Sequence, residues 1–94
     1  MKQRQTIVCH SIVCRLMVAM QNIEVAFGKV VRKRRLELGL SQEDFADKAG
    51  IHRTYVSSIE LGKVQVSIRI AEQLVQALRT SLSRIWKQVE SDRD

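Results

Sequence analysis

The chain has 94 residues, 45% of them hydrophobic and 4% aromatic, with no proline and four glycines. That excludes a multidomain protein and points to one small, all-helical domain, whose thin core gains from a partner subunit. A net charge of +6 directs attention to a polyanion, nucleic acid or an anionic membrane surface, with a merely solvated basic face as the plain alternative.

In residues 1–22, Val8, Cys9, Ile12, Val13, Leu16 and Met20 recur at helical spacing, as in an amphipathic helix. His10 and Arg15 interrupt that run, it is too short to span a bilayer, and no small-residue cleavage site follows, so neither a membrane span nor a signal peptide is expected. Three readings of this N-terminal extension stay open: a dimer-forming or partner-binding arm, a disordered tail, or a segment that precedes the true start at Met17 or Met20. Cys9 and Cys14 have only His10 beside them and lack the second ligand pair of a structural zinc site. They read as inert thiols in a reducing cytoplasm, with no metal and no cofactor.

The domain itself is expected over residues 23–90, with a polar, frayed tail at 91–94. A first helix over residues 23–38 puts Phe27, Val31 and Leu38 on one face and Lys29, Arg32, Lys33 and Arg34 on the other. Gly39 ends it, and Leu40 stands where a staple residue packs back on the core.

The central stretch, SQEDFADKAGIHRTYVSSIELG, spans residues 41–62. Ser41 caps a helix in which Phe45, Ala46 and Ala49 form one apolar face, with Asp44 as a short capping-box partner. Gly50 follows where a helix end needs positive φ, and Val56 and Ile59 set a second helix against the first. The outer face of that second helix carries His52, Arg53, Thr54, Tyr55, Ser57 and Ser58, all hydrogen-bond donors and none acidic. Two helices joined by a short turn with glycine describe a helix-turn-helix, whose second helix enters the DNA major groove.

Further on, Ser67 caps a fourth helix with Ile68, Ala71, Leu74, Val75 and Leu78 inward, and Ser81 caps a last one with Leu82, Ile85, Trp86 and Val89 as its apolar side. Trp86 either closes the core, the favoured reading, or anchors a symmetric interface.

On a DNA-binding reading, Arg53 is the base-reading candidate, because a guanidinium pairs bidentately with guanine O6 and N7. Thr54, Ser57 and Ser58 lie within reach of the same groove, although ordinary solvated helix surface would look alike. Gln42 at a helix N-terminus, His52, Tyr55 and Lys63 are candidates for phosphate contact. An enzyme is not expected: His10 and His52 have no nucleophile and carboxylate at working spacing, and no Gly-rich phosphate loop is present.

SQEDFADKAG followed by HRTYVSSIELGK resembles the Cro/phage-repressor-like (XRE) helix-turn-helix regulators, over residues 27–89. Within that family, GIHRTYVSSIE followed by VSI is similar to restriction-modification controller proteins. The resemblance implies a five-helix lambda-repressor-like domain. It implies a cytoplasmic transcriptional regulator that acts as a homodimer on an inverted-repeat operator, with autoregulation and no membrane. It also implies that Arg35 pairs with Glu60, and that Leu82, Ile85, Trp86 and Val89 form the dimer interface. Arg79 stands where the family usually has glycine, so strain or a shifted helix end is expected there. Val64 and Gln65 replace a frequent arginine and asparagine, and Leu61 a frequent polar residue, which weakens the expected loop contacts to DNA. Two other classes remain: an antitoxin-type protein-interaction module that also binds DNA, and a non-specific nucleic-acid binder; contact with a toxin or with RNA polymerase stays open as a further partner.

Overall fold

The computed structural model describes the backbone of residues 12–93 and the side chains of residues 23–92. Its elements are five helices, α1 (Ile12–Glu37), α2 (Gln42–Ala49), α3 (Arg53–Glu60), α4 (Ile68–Ala77) and α5 (Leu82–Arg93), with no strand among the described residues. The all-α, five-helix expectation holds. Helix α1 begins at Ile12 rather than at residue 23, because no glycine or proline separates the two segments and the helical pattern runs on unbroken. The part of the N-terminal extension before Ile12, with Cys9 and His10, lies outside the described residues.

Local chemistry sets the helix ends. Ser41, Ser67 and Ser81 each accept a backbone N–H through the side-chain oxygen, from Asp44 at 3.0 Å, Ile70 at 3.2 Å and Arg84 at 3.3 Å. Such a cap contributes about 1 kcal/mol. Helix α2 stops at Gly50, whose φ of 72° lets Ile51 turn back and donate to the Ala46 carbonyl at 3.0 Å. The same 6→1 bond closes α4, from the Thr80 N–H to Val75 O at 3.0 Å, but there the residue with positive φ is Arg79, at 57°. The helix end is therefore not shifted; the arginine takes the conformation a glycine would hold.

The core gathers Phe27, Val30 and Val31 from α1, Phe45, Ala46 and Ala49 from α2, Val56 and Ile59 from α3, Ala71, Leu74, Val75 and Leu78 from α4 and its end, and Ile85 and Val89 from α5. Leu38 and Leu40 pack against it half-buried. Helix α1 is the common support: it packs on α5 along one flank and on α3 along the other, while α2 bridges α3 and α4. Gly28 permits the second of these contacts, since a Cβ there would collide with the carbonyl oxygen of Ile59 and lie 2.7 Å from that of Glu60.

Three apolar residues depart from expectation. Ile68, assigned to the inner face of α4, is 82% exposed. Leu82 and Trp86, expected on the apolar side of α5, are 37% and 41% exposed, so Trp86 does not close the core of this chain.

Candidate nucleic-acid interface

Helix α3 separates its residues cleanly. Val56, Ile59 and Glu60 are buried, while Arg53 and Thr54 are exposed and Ser57 and Ser58 partly so. Arg53 and Ser57, and likewise Thr54 and Ser58, are one turn apart and form a single polar stripe. Arg53 is the first residue of the helix, and its guanidinium has no ion-pair partner among the described residues. Leu61, exposed at 59%, extends the stripe by one turn and ends it in an apolar group.

The neighbouring candidates divide. His52 is the N-cap residue of α3, yet its ring makes no capping hydrogen bond and stays exposed. Tyr55 is half-buried, its ring packed against the core. Lys63 is exposed just after α3, and its N–H donates to Ser58 O at 3.0 Å, which fixes the loop to the helix. Gln42 turns inward: its Nε2 donates to Glu60 Oε1 at 3.1 Å, leaving one amide hydrogen for anything outside.

Glu60 is the hub beneath the stripe. Arg35 Nε donates to Glu60 Oε2 at 2.6 Å and Nη2 to Oε1 at 3.0 Å, and Nη1 donates to Leu40 O at 2.8 Å. These bonds tie the end of α3 to α1 and to the start of α2. The recognition stripe therefore has a fixed attitude relative to the N-terminus of α2, which positioning by phosphate contacts requires.

Charge around the stripe is asymmetric. Glu43, Asp44 and Asp47 on α2 share a shallow groove with His52 and Arg53, whereas the opposite side ends in Lys63. The three carboxylates lower the positive potential on the α2 side of the stripe relative to its Lys63 end. No described helix is long and apolar enough to cross a membrane.

A short turn opened by a glycine, a fixed second helix with exposed donors and a buried ion pair beneath it define a helix-turn-helix DNA-binding regulator. The chain belongs to the helix-turn-helix family HTH_3, which matches residues 31–85. It is 39% identical to control protein C.MunI of a Mycoplasma species over 74 residues, 78% of this chain and 100% of that protein. Against control protein C.BamHI of Bacillus amyloliquefaciens it is 43% identical over 58 residues, 61% of this chain and 72% of that one. The crystal structure of the restriction-modification controller C.Esp1396I, a tetramer in complex with its natural 35 base-pair operator, is similar with a TM-score of 0.70 and 30% identity, covering 74% of this chain and 92% of that one.

Proposed function

We propose that this regulator is a restriction-modification controller that binds an inverted-repeat operator as a homodimer and acts on its own promoter. The observation that carries this is the stripe of Arg53, Thr54, Ser57 and Ser58 on a helix whose attitude the Arg35–Glu60 pair fixes. Arg53 reads a guanine through a bidentate pair, Thr54, Ser57 and Ser58 meet base edges or a thymine methyl, and His52, Tyr55 and Lys63 hold phosphates. Gln42 contributes one N–H to a phosphate while its other holds Glu60. The names of the relatives support the controller assignment.

A single stripe covers only a few base pairs, so specificity needs two copies with their α3 helices about 34–36 Å apart. A mainly apolar groove lined by Ile23, Phe27, Val66, Ile68, Leu82 and Trp86, with Glu24 and Gln65 also in its lining, supports a second copy as its occupant. Ile85 and Val89 are 4% and 0% exposed in the single chain, which supports Leu82 and Trp86 as the α5 residues in direct contact with the second copy.

The test is binding to DNA upstream of the chain's own gene at near-physiological salt, with random duplex as competitor. Binding in the range of about 10⁻⁸ M or tighter that survives competitor is expected. It falls by about tenfold or more with Arg53→Ala, in line with the 1–3 kcal/mol of a bidentate base contact. Binding that competitor removes, with the Arg53 variant unchanged, overturns the base-reading assignment.

A further inference from the structure

The excess positive charge does not sit mainly on the recognition stripe. Helix α3 and the loop after it carry Arg53 and Lys63, whereas the outer face of α1 carries Lys29, Arg32 and Lys33, and α5 adds Arg84 and Lys87. Lys33 and Arg84 line one groove between α1 and α5, floored by Val30 and Ile85 and bordered by Arg34, Glu37, Thr80 and Gln88. Glu37 is the one carboxylate lining it and lies 3.6 Å from Arg34. Arg34 is further held by the carbonyls of Leu78 and Arg79, at 3.0 and 3.3 Å. The amide of Gln88 is turned to Asp92 at 2.8 Å. Among the described residues the other paired carboxylate is Glu60, so Lys33 and Arg84 have no ionic partner.

This groove faces away from α3. Gly28 and Arg35 mark the flank of α1 that meets α3, through Ile59 and Glu60. At about 100° per residue, Val30, Lys33, Arg34 and Glu37 lie round towards the other flank. A helix with its side chains is about 10–12 Å across, so α1 itself stands between the groove and the recognition helix. A straight duplex that holds α3 in its major groove is turned away from Lys33 and Arg84.

We propose that the α1/α5 groove binds the phosphodiester backbone of a second DNA duplex, which lets the protein, seated on one site through α3, bridge to another stretch of DNA. The Lys33 ammonium and the Arg84 guanidinium donate to phosphate oxygens, and Thr80 lines the groove with them. The groove offers no helix that enters a base-reading groove, so this contact is independent of sequence and weakens steeply with salt. An acidic protein segment would meet the same cations. DNA is the occupant because a protein held on an operator has duplex at high local concentration. The bridging role rests on the operator reading above, but the groove's residues are separate from it.

The experiment immobilises operator duplex, saturates it with full-length protein and adds a fluorescent random duplex at near-physiological salt. Retention of the random duplex is expected, reduced about fivefold or more by Lys33→Gln with Arg84→Gln, while helicity is unchanged and operator affinity stays within about twofold. The salt slope of retention falls by about two in the same variant. A second arm tethers the protein through a terminal tag, so capture no longer needs an operator. There, capture that survives Arg53→Ala and is lost in the Lys33/Arg84 variant supports the groove even if operator binding fails. Absence of retention by wild type, equal retention by the Lys33/Arg84 variant, or retention of a polyglutamate peptide instead of DNA overturns the proposal.

Discussion

Arg35 on α1 and Glu60 at the end of α3 meet through two hydrogen bonds, at 2.6 and 3.0 Å, with only 8% and 2% of their side chains exposed. Both carboxylate oxygens are occupied, and the third guanidinium nitrogen is satisfied by Leu40. Removing one partner strands a buried charge, so Glu60→Ala costs about 3–5 kcal/mol. Replacing both, with Arg35→Met and Glu60→Leu, costs much less, because no charge is left uncompensated. Urea unfolding of the three proteins checks this; equal losses in the single and double variants would show that packing, not charge, dominates the site.

Arg79 holds a left-handed conformation, with φ of 57°, at the end of α4. Its carbonyl is used by Arg34, but that bond is to the backbone and survives substitution. A non-glycine residue there pays about 1–2 kcal/mol of Cβ strain, partly offset by the smaller unfolded-state entropy of arginine. Arg79→Gly is therefore expected to raise stability by about 0.5–1 kcal/mol, a gain of several degrees in melting temperature for a domain of this size. An unchanged or lower melting point would mean that the arginine side chain contributes packing of its own.

Gly28 is the point where α1 touches the last turn of α3. A methyl group there would meet the Ile59 carbonyl and come within 2.7 Å of Glu60 O. Because both neighbours are backbone, they cannot swing away. Gly28→Ala is expected to cost about 1–3 kcal/mol. It also displaces the end of the recognition helix, so operator affinity falls even at temperatures where the variant is fully folded. Thermal unfolding together with a binding titration at low temperature separates the two effects.

Helix ends and the helix-turn-helix were legible because each rests on local chemistry. Ser41, Ser67 and Ser81 cap as single residues can, and Phe45, Ala46, Ala49, Val56 and Ile59 are buried as their spacing implies. What spacing does not convey is who covers an apolar face. Leu82 and Ile85 are nearly one turn apart on α5, yet the first is 37% exposed and the second 4%. Gln42 shows the same gap for polar groups, since a helix N-terminus invites an anion without saying whether it is a phosphate or the chain's own Glu60. Helix α1 ran past its expected start because the sequence there holds no breaker. Val30 escaped notice because it flanks the Phe27–Val31 face instead of lying on it.

The proposed dimer surface can be separated from the core by three substitutions. Ile85→Ala empties a site that is 4% exposed and costs about 2–5 kcal/mol in fold stability. Trp86→Ala removes a ring that is 41% exposed, and most of its effect is expected in association. Ile68→Asp is the sharpest of the three. Ile68 is 82% exposed and is the first residue of α4, where an acidic side chain suits the helix dipole. The fold should therefore keep its stability within about 0.5 kcal/mol. A carboxylate placed in the apolar groove nevertheless opposes a second copy, since burying it unpaired is costly. Sedimentation at micromolar concentration is expected to show a dimer for wild type and a monomer for Ile68→Asp, with operator binding weakened in parallel. A variant that remains dimeric would remove this groove from the interface and leave the pairing of recognition helices to another face of the domain.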